Sequence, residues 1–151
     1  MTALITPFRN GEIDTDAFRA LIDRQVAAGV DGIVPCGTTG ESPTLGRKEH
    51  LRVIELAIEY AAGRVKVIAG TGANATDEAI ALTTQAAAMG ADATLQVCPY
   101  YNKPSQEGLY QHYKAIAGCS DLPIMLYSIP GRSVIEIAVD TIQRLAADCP
   151  T

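Results

Sequence analysis

Glycines and hydroxyl side chains are concentrated in one short run of the sequence, CGTTGES at residues 36–42. Gly37 and Gly40 flank two threonines within it. Glycine lets a backbone bend tightly, and such a bend leaves amide N–H groups available to bind a small anion such as a carboxylate. This run therefore predicts a site for a small acid. The alternative is that Thr38 and Thr39 only satisfy the backbone of their own turn.

Tyrosines and an arginine follow two later apolar runs. Tyr100 and Tyr101 come after residues 93–98, and Tyr127 ends residues 123–127. A phenol can carry protons when a neighbouring hydroxyl or charge tunes it, and the guanidinium of Arg132 can grip a carboxylate with two N–H groups. These residues predict proton transfer on a small carboxylic acid. The alternative is that the tyrosines pack at a rim and Arg132 is an ordinary surface residue.

Five apolar runs alternate with segments of helical periodicity. Strands are predicted at residues 3–6, 32–35, 65–69, 93–98 and 123–127, and their nearly continuous apolar character is typical of parallel strands buried on both faces. The first four helices are predicted to begin near Asp14, Arg47, Thr76 and Ser105, and a fifth contains Ile142 and Leu145. Thr76 and Ser105 are predicted to cap their helices through side-chain oxygens.

This alternation indicates an α/β fold of about five βα units. It fits either a doubly wound open sheet or part of a TIM (β/α)8 barrel, because both use the same right-handed crossover. A whole barrel has eight units, so on that interpretation residues 1–151 are the N-terminal portion of a single barrel domain, cut before its sixth strand. In both folds the chemistry lies at the C-terminal ends of the strands, where the turns described above are found.

A second glycine pattern resembles a nucleotide motif. Gly70, Gly72 and Ala75 form G-x-G-x-x-A after a predicted strand, with Asp92 about 20 residues further on. In a dinucleotide site that acid lies at the C-terminal end of the next strand, whereas Asp92 precedes residues 93–98. The dinucleotide interpretation is therefore disfavoured, and no cofactor is predicted.

Composition excludes several classes of function. The net charge is −5 and the basic residues are scattered, so no face is expected to bind nucleic acid. No apolar run approaches the roughly 20 residues that cross a bilayer and no signal peptide is present, so we expect a cytoplasmic protein without membrane contact. The four cysteines are Cys36, Cys98, Cys119 and Cys149. They form no CxxC pair and no cluster with histidine, so we expect reduced thiols and no metal site.

Four stretches carry a family resemblance that spans almost the whole chain. Residues 32–41 and 127–133 are similar to two signatures of the dihydrodipicolinate synthase and N-acetylneuraminate lyase family. Residues 69–76 and 99–110 resemble its synthase branch in particular. Arg132 also favours that branch, because the lyase branch has no arginine at the matching position.

The resemblance implies an activity and roles for residues. The activity is the Schiff-base aldol condensation of pyruvate with L-aspartate semialdehyde to 4-hydroxy-tetrahydrodipicolinate, a step of lysine and diaminopimelate biosynthesis. Thr38 and Thr39 would bind the pyruvate carboxylate and link a proton relay, with Tyr127 as its shuttle. Tyr101 would complete the relay in a neighbouring subunit, and Arg132 would hold the carboxylate of the semialdehyde. The family also implies a homo-oligomer, a tetramer of tight dimers.

Some members of the family are inhibited by L-lysine at the subunit interface. The matching positions here are Ser42, Arg47, His50, Asn74, Glu78 and Tyr100. Arg47 stands where those members have a histidine. The resemblance therefore implies feedback regulation, while the alternative is that Glu78 only favours the start of a helix.

The family's imine-forming lysine lies on the sixth strand, which the 151 residues do not reach. The chain's own lysines occupy predicted helix, strand-start or loop positions: Lys48, Lys66, Lys103 and Lys114. The chain alone is therefore predicted to be inactive. Two alternatives remain, another pyruvate aldolase such as an N-acetylneuraminate lyase-like enzyme, and a non-catalytic partial barrel that self-associates through unpaired strand edges.

Overall fold

Short strands and longer helices alternate along the chain in the computed structural model, which describes residues 1–149. The strands are β1 (Thr2–Ala3), β2 (Phe8–Arg9), β3 (Glu12–Ile13), β4 (Gly32–Val34), β5 (Lys66–Gly70), β6 (Ala93–Val97) and β7 (Ile124–Tyr127). The helices are α1 (Thr15–Ala27), α2 (Arg47–Ala61), α3 (Thr76–Met89), α4 (Gln106–Ala117), α5 (Pro130–Ser133) and α6 (Val139–Asp148). Two short 3-10 turns, Thr38–Gly40 and Ser42–Thr44, lie between β4 and α2.

Five of the strands form one parallel sheet in the order β1, β4, β5, β6, β7. This spatial order follows the chain without reversal. A doubly wound sheet reverses its order at a switch point, whereas a barrel adds each βα unit next to the previous one. The sheet is therefore part of a TIM barrel, and the prediction of about five βα units is confirmed.

The first core lies between α1, α2 and the first three strands of this sheet. Helix α1 begins after Asp14, whose side chain caps it by accepting a hydrogen bond from the amide of Ala17 at 3.0 Å. Phe18 and Ile22 lie one turn apart on its buried face and have no exposed surface. They belong to the same apolar cluster as the buried residues of α2 and β4. Burial of this stripe fixes α1 and α2 against the outer face of the sheet.

The second core lies between α4, α6 and β7, the last strand of the sheet. Helix α4 begins after Ser105, whose hydroxyl accepts from the amide of Gly108 at 3.1 Å, so the predicted cap is confirmed. Leu109, Tyr113 and Ile116 form its buried face and cluster with Leu145 of α6. This packing holds α4 and α6 together beside β7.

The predicted cap at Thr76 is wrong. The cap of α3 is Ala75, which has extended backbone and makes no side-chain capping bond. The hydroxyl of Thr76 instead lies 2.9 Å from Nδ1 of His112 on α4. The hydroxyl that the local pattern assigned to capping therefore bonds a residue 36 positions further along the chain.

The beginning of the chain also differs from the sequence-based expectation. The first strand is Thr2–Ala3 rather than residues 3–6, although the amide of Leu4 still donates to Val34 of β4 at 3.0 Å. An antiparallel hairpin of β2 and β3 follows it. Asn10 and Gly11 both have positive φ, 55° and 84°, which is the turn that an Asn-Gly pair favours in a tight hairpin. Within residues 1–149, no helix combines the length and apolar character needed to cross a bilayer.

Candidate active site

A cavity of about 180 Å³ lies at the C-terminal ends of β4, β5, β6 and β7. Its walls are mainly apolar and backbone surfaces, with a few polar side chains among them. Thr38 follows β4, Tyr127 ends β7 and Arg132 lies in α5 just after β7, and all three line the cavity. Its size suits a molecule of a few atoms rather than a large ligand, since drug-sized sites measure roughly 300–1,000 Å³.

The turn after β4 forms the threonine side of the cavity. Gly37 has extended backbone, and the 3-10 turn Thr38–Gly40 follows it directly, with the amide of Gly40 donating to the Gly37 carbonyl at 3.0 Å. Gly40 must be glycine because a Cβ there would lie 2.9 Å from the carbonyl oxygen of Leu4. Thr38 lines the cavity, whereas Thr39 is exposed outside the lining. The structure thus places one of the two predicted threonines at the cavity.

The tyrosines divide into two groups. Tyr127 ends β7 and Tyr100 follows β6, and both line the cavity. Tyr101 does not line it and is 87% exposed. Within this chain, Tyr127 and Tyr100 therefore have access to a bound acid, and Tyr101 faces outward.

Gly70 and Gly72 serve close packing between the strand ends. A Cβ at Gly70 would overlap the carbonyl of Cys36, and one at Gly72 would overlap the backbone of Val97. Asp92 lies at the opposite edge of the sheet, where it accepts from Lys66 Nζ at 2.6 Å and from the amide of Val67 at 2.9 Å. The glycines of the G-x-G-x-x-A pattern therefore allow the strand ends to pack closely, and the pattern does not mark a dinucleotide site.

Cys36, which lines the cavity, and His50 make a buried connection that no pattern in the sequence predicted. His50 Nε2 donates to the carbonyl of Gly70 at 2.7 Å, and Cys36 Sγ donates to the carbonyl of His50 at 3.5 Å. Burial raises the pKa of the Cys36 thiol to about 12, so the thiol stays protonated and is not a nucleophile. Burial lowers the pKa of His50, while the Gly70 hydrogen bond and the charge of Glu78 act against this lowering.

The positions matched to an effector site lie around the starts of α2 and α3. Arg47 Nη1 forms an ion pair with Glu78 Oε2 at 3.1 Å. Asn74 Oδ1 accepts from the amide of Tyr100 at 2.6 Å. Ser42 instead lines the cavity. The ion pair is half-exposed and contributes little to stability, so both of its members remain accessible to a charged ligand.

No lysine of residues 1–149 lines the cavity. Lys66 pairs with Asp92 at the far edge of the sheet, and Lys114 donates to the hydroxyl of Tyr110 at 2.9 Å. Lys48 and Lys103 are exposed. An amine that acts in this cavity must therefore come from outside the part of the chain that the structure describes. In that part no group of three or more metal-ligating side chains could hold an ion.

Sequence comparison with a family model and with curated proteins shows what the chain is similar to. A model of the dihydrodipicolinate synthetase family matches residues 1–151. The 4-hydroxy-tetrahydrodipicolinate synthase of Rhodospirillum centenum is 60% identical over 146 residues, 97% of this chain and 50% of that protein. The enzyme of the same name from Aquifex aeolicus is 56% identical over 149 residues, 99% of this chain and 51% of that protein. The chain spans about half the length of the curated relatives it matches.

Solved structures agree with the sequence comparison. The 4-hydroxy-tetrahydrodipicolinate synthase of Methylacidiphilum fumariolicum SolV superposes with a TM-score of 0.98 at 52% identity, covering 99% of this chain and 50% of that one. A dihydrodipicolinate synthase from Cyanidioschyzon merolae with lysine bound superposes with a TM-score of 0.95 at 45% identity, covering 99% of this chain and 51% of that one.

Proposed function

The chain belongs to the dihydrodipicolinate synthetase family, and we propose that the protein carrying it is a lyase that condenses pyruvate with L-aspartate semialdehyde. The product is 4-hydroxy-tetrahydrodipicolinate, an intermediate of lysine and diaminopimelate biosynthesis. The observation that carries this proposal is the convergence of Thr38, Tyr127 and Arg132 on one small cavity at the C-terminal strand ends. The relatives named for this reaction match 97% and 99% of the chain.

Pyruvate is bound through its carboxylate at the turn after β4. The proposed donors are the backbone amides of Thr38 and Thr39 and the hydroxyl of Thr38, because the amide of Gly40 already donates within the turn and Thr39 lies outside the cavity lining. Hydrogen bonds to the carboxylate fix the orientation of the keto carbon, which lowers the entropic part of the barrier. Thr38 lines the cavity, which supports this placement.

A primary amine then attacks C2 of pyruvate and expels its oxygen as water, forming an imine. Loss of a proton from the methyl group gives an enamine, whose terminal carbon attacks the aldehyde carbon of the second substrate, and the aldehyde oxygen takes up a proton to become the 4-hydroxyl. The amino group of the semialdehyde then attacks the imine carbon and displaces the enzyme's amine, which closes the ring of the product and frees the amine. Each of these steps moves a proton, and the hydroxyls of Tyr127 and Thr38 carry it. The amine is supplied by a lysine outside residues 1–149, because no lysine of those residues lines the cavity.

Arg132 holds the carboxylate of the semialdehyde. Arg132 lines the cavity near the end of α5, and a guanidinium offers two parallel N–H donors that match a carboxylate. This favours the semialdehyde over the longer, polyhydroxylated substrate of an N-acetylneuraminate lyase-like enzyme.

The active protein is a homo-oligomer, a tetramer of tight dimers, in which Tyr101 enters the proton relay of a neighbouring subunit. Tyr101 is 87% exposed, and an aromatic side chain exposed to this extent is typical of a protein interface. Sedimentation of the full-length protein as a monomer at its working concentration would contradict this tetrameric assembly.

The protein acts in the cytoplasm, which is supported by its free cysteines, Cys36, Cys98, Cys119 and Cys149.

L-lysine is the proposed feedback effector. Glu78 and Arg47 offer one negative and one positive group to the ammonium and carboxylate of an amino acid, at the cost of their weak mutual ion pair. His50 links this region to the cavity through Gly70. We expect millimolar L-lysine to inhibit the full-length enzyme and Glu78→Ala to remove that inhibition, while Glu55→Ala, which removes an exposed glutamate of α2, leaves it intact. Uninhibited turnover of the unchanged enzyme at millimolar lysine would contradict the proposal.

Borohydride trapping tests the proposed function. We expect labelled pyruvate and borohydride to modify one lysine of the full-length protein, outside residues 1–149, and to leave the isolated 151-residue chain unlabelled. Omission of borohydride is the control. An adduct on Lys48, Lys66, Lys103 or Lys114 would overturn the assignment of the nucleophile. The absence of any adduct on the full-length protein would favour a non-catalytic role.

A further inference from the structure

The segment after β7, which carries Arg132, contains a strained residue. Val134 follows α5 with φ 67° and ψ −17°, in the left-handed region. A β-branched side chain rarely adopts this conformation, and it persists only where the surroundings hold it. The side chain of Val134 is 62% exposed, so its own packing does not hold it there.

Ser133 holds the backbone on both sides of Val134. Its hydroxyl lies 3.0 Å from the carbonyl oxygen of Ile129 and 2.8 Å from that of Ile135. One hydroxyl proton serves both carbonyls, either shared between them or alternating. Ser133 has no exposed surface, so water does not compete for these bonds. This side chain thus ties the start of the short helix to the residue just beyond the strained position.

Gln106 holds the same segment from outside. Its Nε2 donates to the carbonyl of Glu136 at 2.8 Å, and its Oε1 accepts from the amide of Ala138 at 3.0 Å and from the hydroxyl of Thr141 at 2.8 Å. Gln106 is the first residue of α4, which packs in the second core. One amide side chain therefore anchors the chain between α5 and α6 to a rigid helix.

Arg132 depends on this backbone for its position. No ion pair among residues 1–149 includes its guanidinium, yet the residue lines the cavity. We propose that Gln106 and Ser133 are positioning residues, which hold Val134 in the left-handed conformation and thereby place Arg132 at the cavity. The inference rests on the proposed function, in which Arg132 binds the carboxylate of the second substrate.

Kinetics of Gln106→Ala in the full-length protein test this inference. The variant loses the three hydrogen bonds of the amide, and we expect KM for L-aspartate semialdehyde to rise about tenfold. KM for pyruvate and kcat should stay within about twofold, because pyruvate is held by the turn after β4. Gln111→Ala is the matched control, since Gln111 lies on the same helix and bonds only the side chain of Glu107 in the described structure.

A rescue experiment separates positioning from general stabilisation. Glycine adopts the left-handed conformation without strain, so Val134→Gly should keep the segment in place when Gln106 no longer holds it. We expect the double variant Gln106→Ala, Val134→Gly to recover a KM for the semialdehyde within about threefold of the unchanged enzyme. A general loss of stability would raise KM for pyruvate as well, so both KM values are measured in every variant. If Gln106→Ala fails to fold, Gln106→Glu keeps the acceptor for Ala138 and Thr141 and should give an intermediate KM.

Three outcomes would overturn the inference: an unchanged KM for the semialdehyde in Gln106→Ala, an equal rise in both KM values, or no rescue by Val134→Gly. Each presupposes an unchanged enzyme that forms the pyruvate adduct and turns over normally. Failure of the unchanged enzyme to trap pyruvate would instead contradict the proposed function itself. The two failures are therefore distinguishable.

Discussion

Replacement of Tyr127 by phenylalanine is expected to lower kcat of the full-length enzyme by about 10²-fold or more, the range typical of a lost proton-transfer group. The substitution removes only the hydroxyl and leaves the ring, so the end of β7 keeps its packing. KM for pyruvate should change by less than about threefold, because the carboxylate is bound elsewhere. Steady-state kinetics with both substrates measure the effect.

Tyr60→Phe is the matched control for this substitution. Tyr60 lies on α2, packs its ring against Phe18 with the centroids 6.5 Å apart, and does not line the cavity. Loss of its hydroxyl should change kcat by less than about twofold. A Tyr127→Phe enzyme that retained more than half of the original kcat would show that the phenol does not carry the proton.

Replacement of Gly70 by alanine is expected to reduce the free energy of unfolding by about 3 kcal/mol or more, at the upper end of the cost of overpacking. The new methyl group would overlap the backbone carbonyl of Cys36, which cannot turn away as a side chain can. The ends of β4 and β5 would have to separate, and the threonine turn would move with them. Chemical denaturation of the full-length protein measures the loss.

Gly118→Ala is the control for added volume. Gly118 follows α4 with φ −75°, and a Cβ there would lie 3.6 Å from its nearest neighbours, an ordinary contact. This substitution should change the free energy of unfolding by less than about 0.5 kcal/mol or increase it, since alanine restricts the unfolded chain. A loss smaller than about 1 kcal/mol in Gly70→Ala would contradict the close packing of the strand ends.

The location of the site could be predicted from the sequence because it follows from the geometry of parallel strands. Apolar runs marked β4 to β7, and the polar residues that follow them had to meet at one edge of the sheet. This reasoning predicted that Thr38, Tyr127 and Arg132 lie together, and all three line one cavity. It also correctly separated Asp92 from that edge, because this residue precedes its strand.

Other features depended on contacts that a local pattern does not contain. The Thr76 hydroxyl lies against His112 of α4 instead of capping α3. Val134 has positive φ, although no residue near it predicts this conformation and β-branched residues disfavour it. The conformation depends partly on Gln106, which is distant in the sequence and bonds the carbonyl of Glu136. The hairpin at Asn10 and Gly11 did have a local signal, but its two-residue strands were too short to register as alternation.

The crystal structure of the borohydride-trapped pyruvate adduct of the full-length protein tests the central claim most directly. If the cavity at the strand ends is the site of the reaction, the adduct's carboxylate should lie about 3 Å from the donors of the turn at Thr38 and Thr39, with the hydroxyl of Tyr127 beside the former keto carbon. An adduct whose carboxylate lies away from this turn, or outside the cavity, would contradict the account.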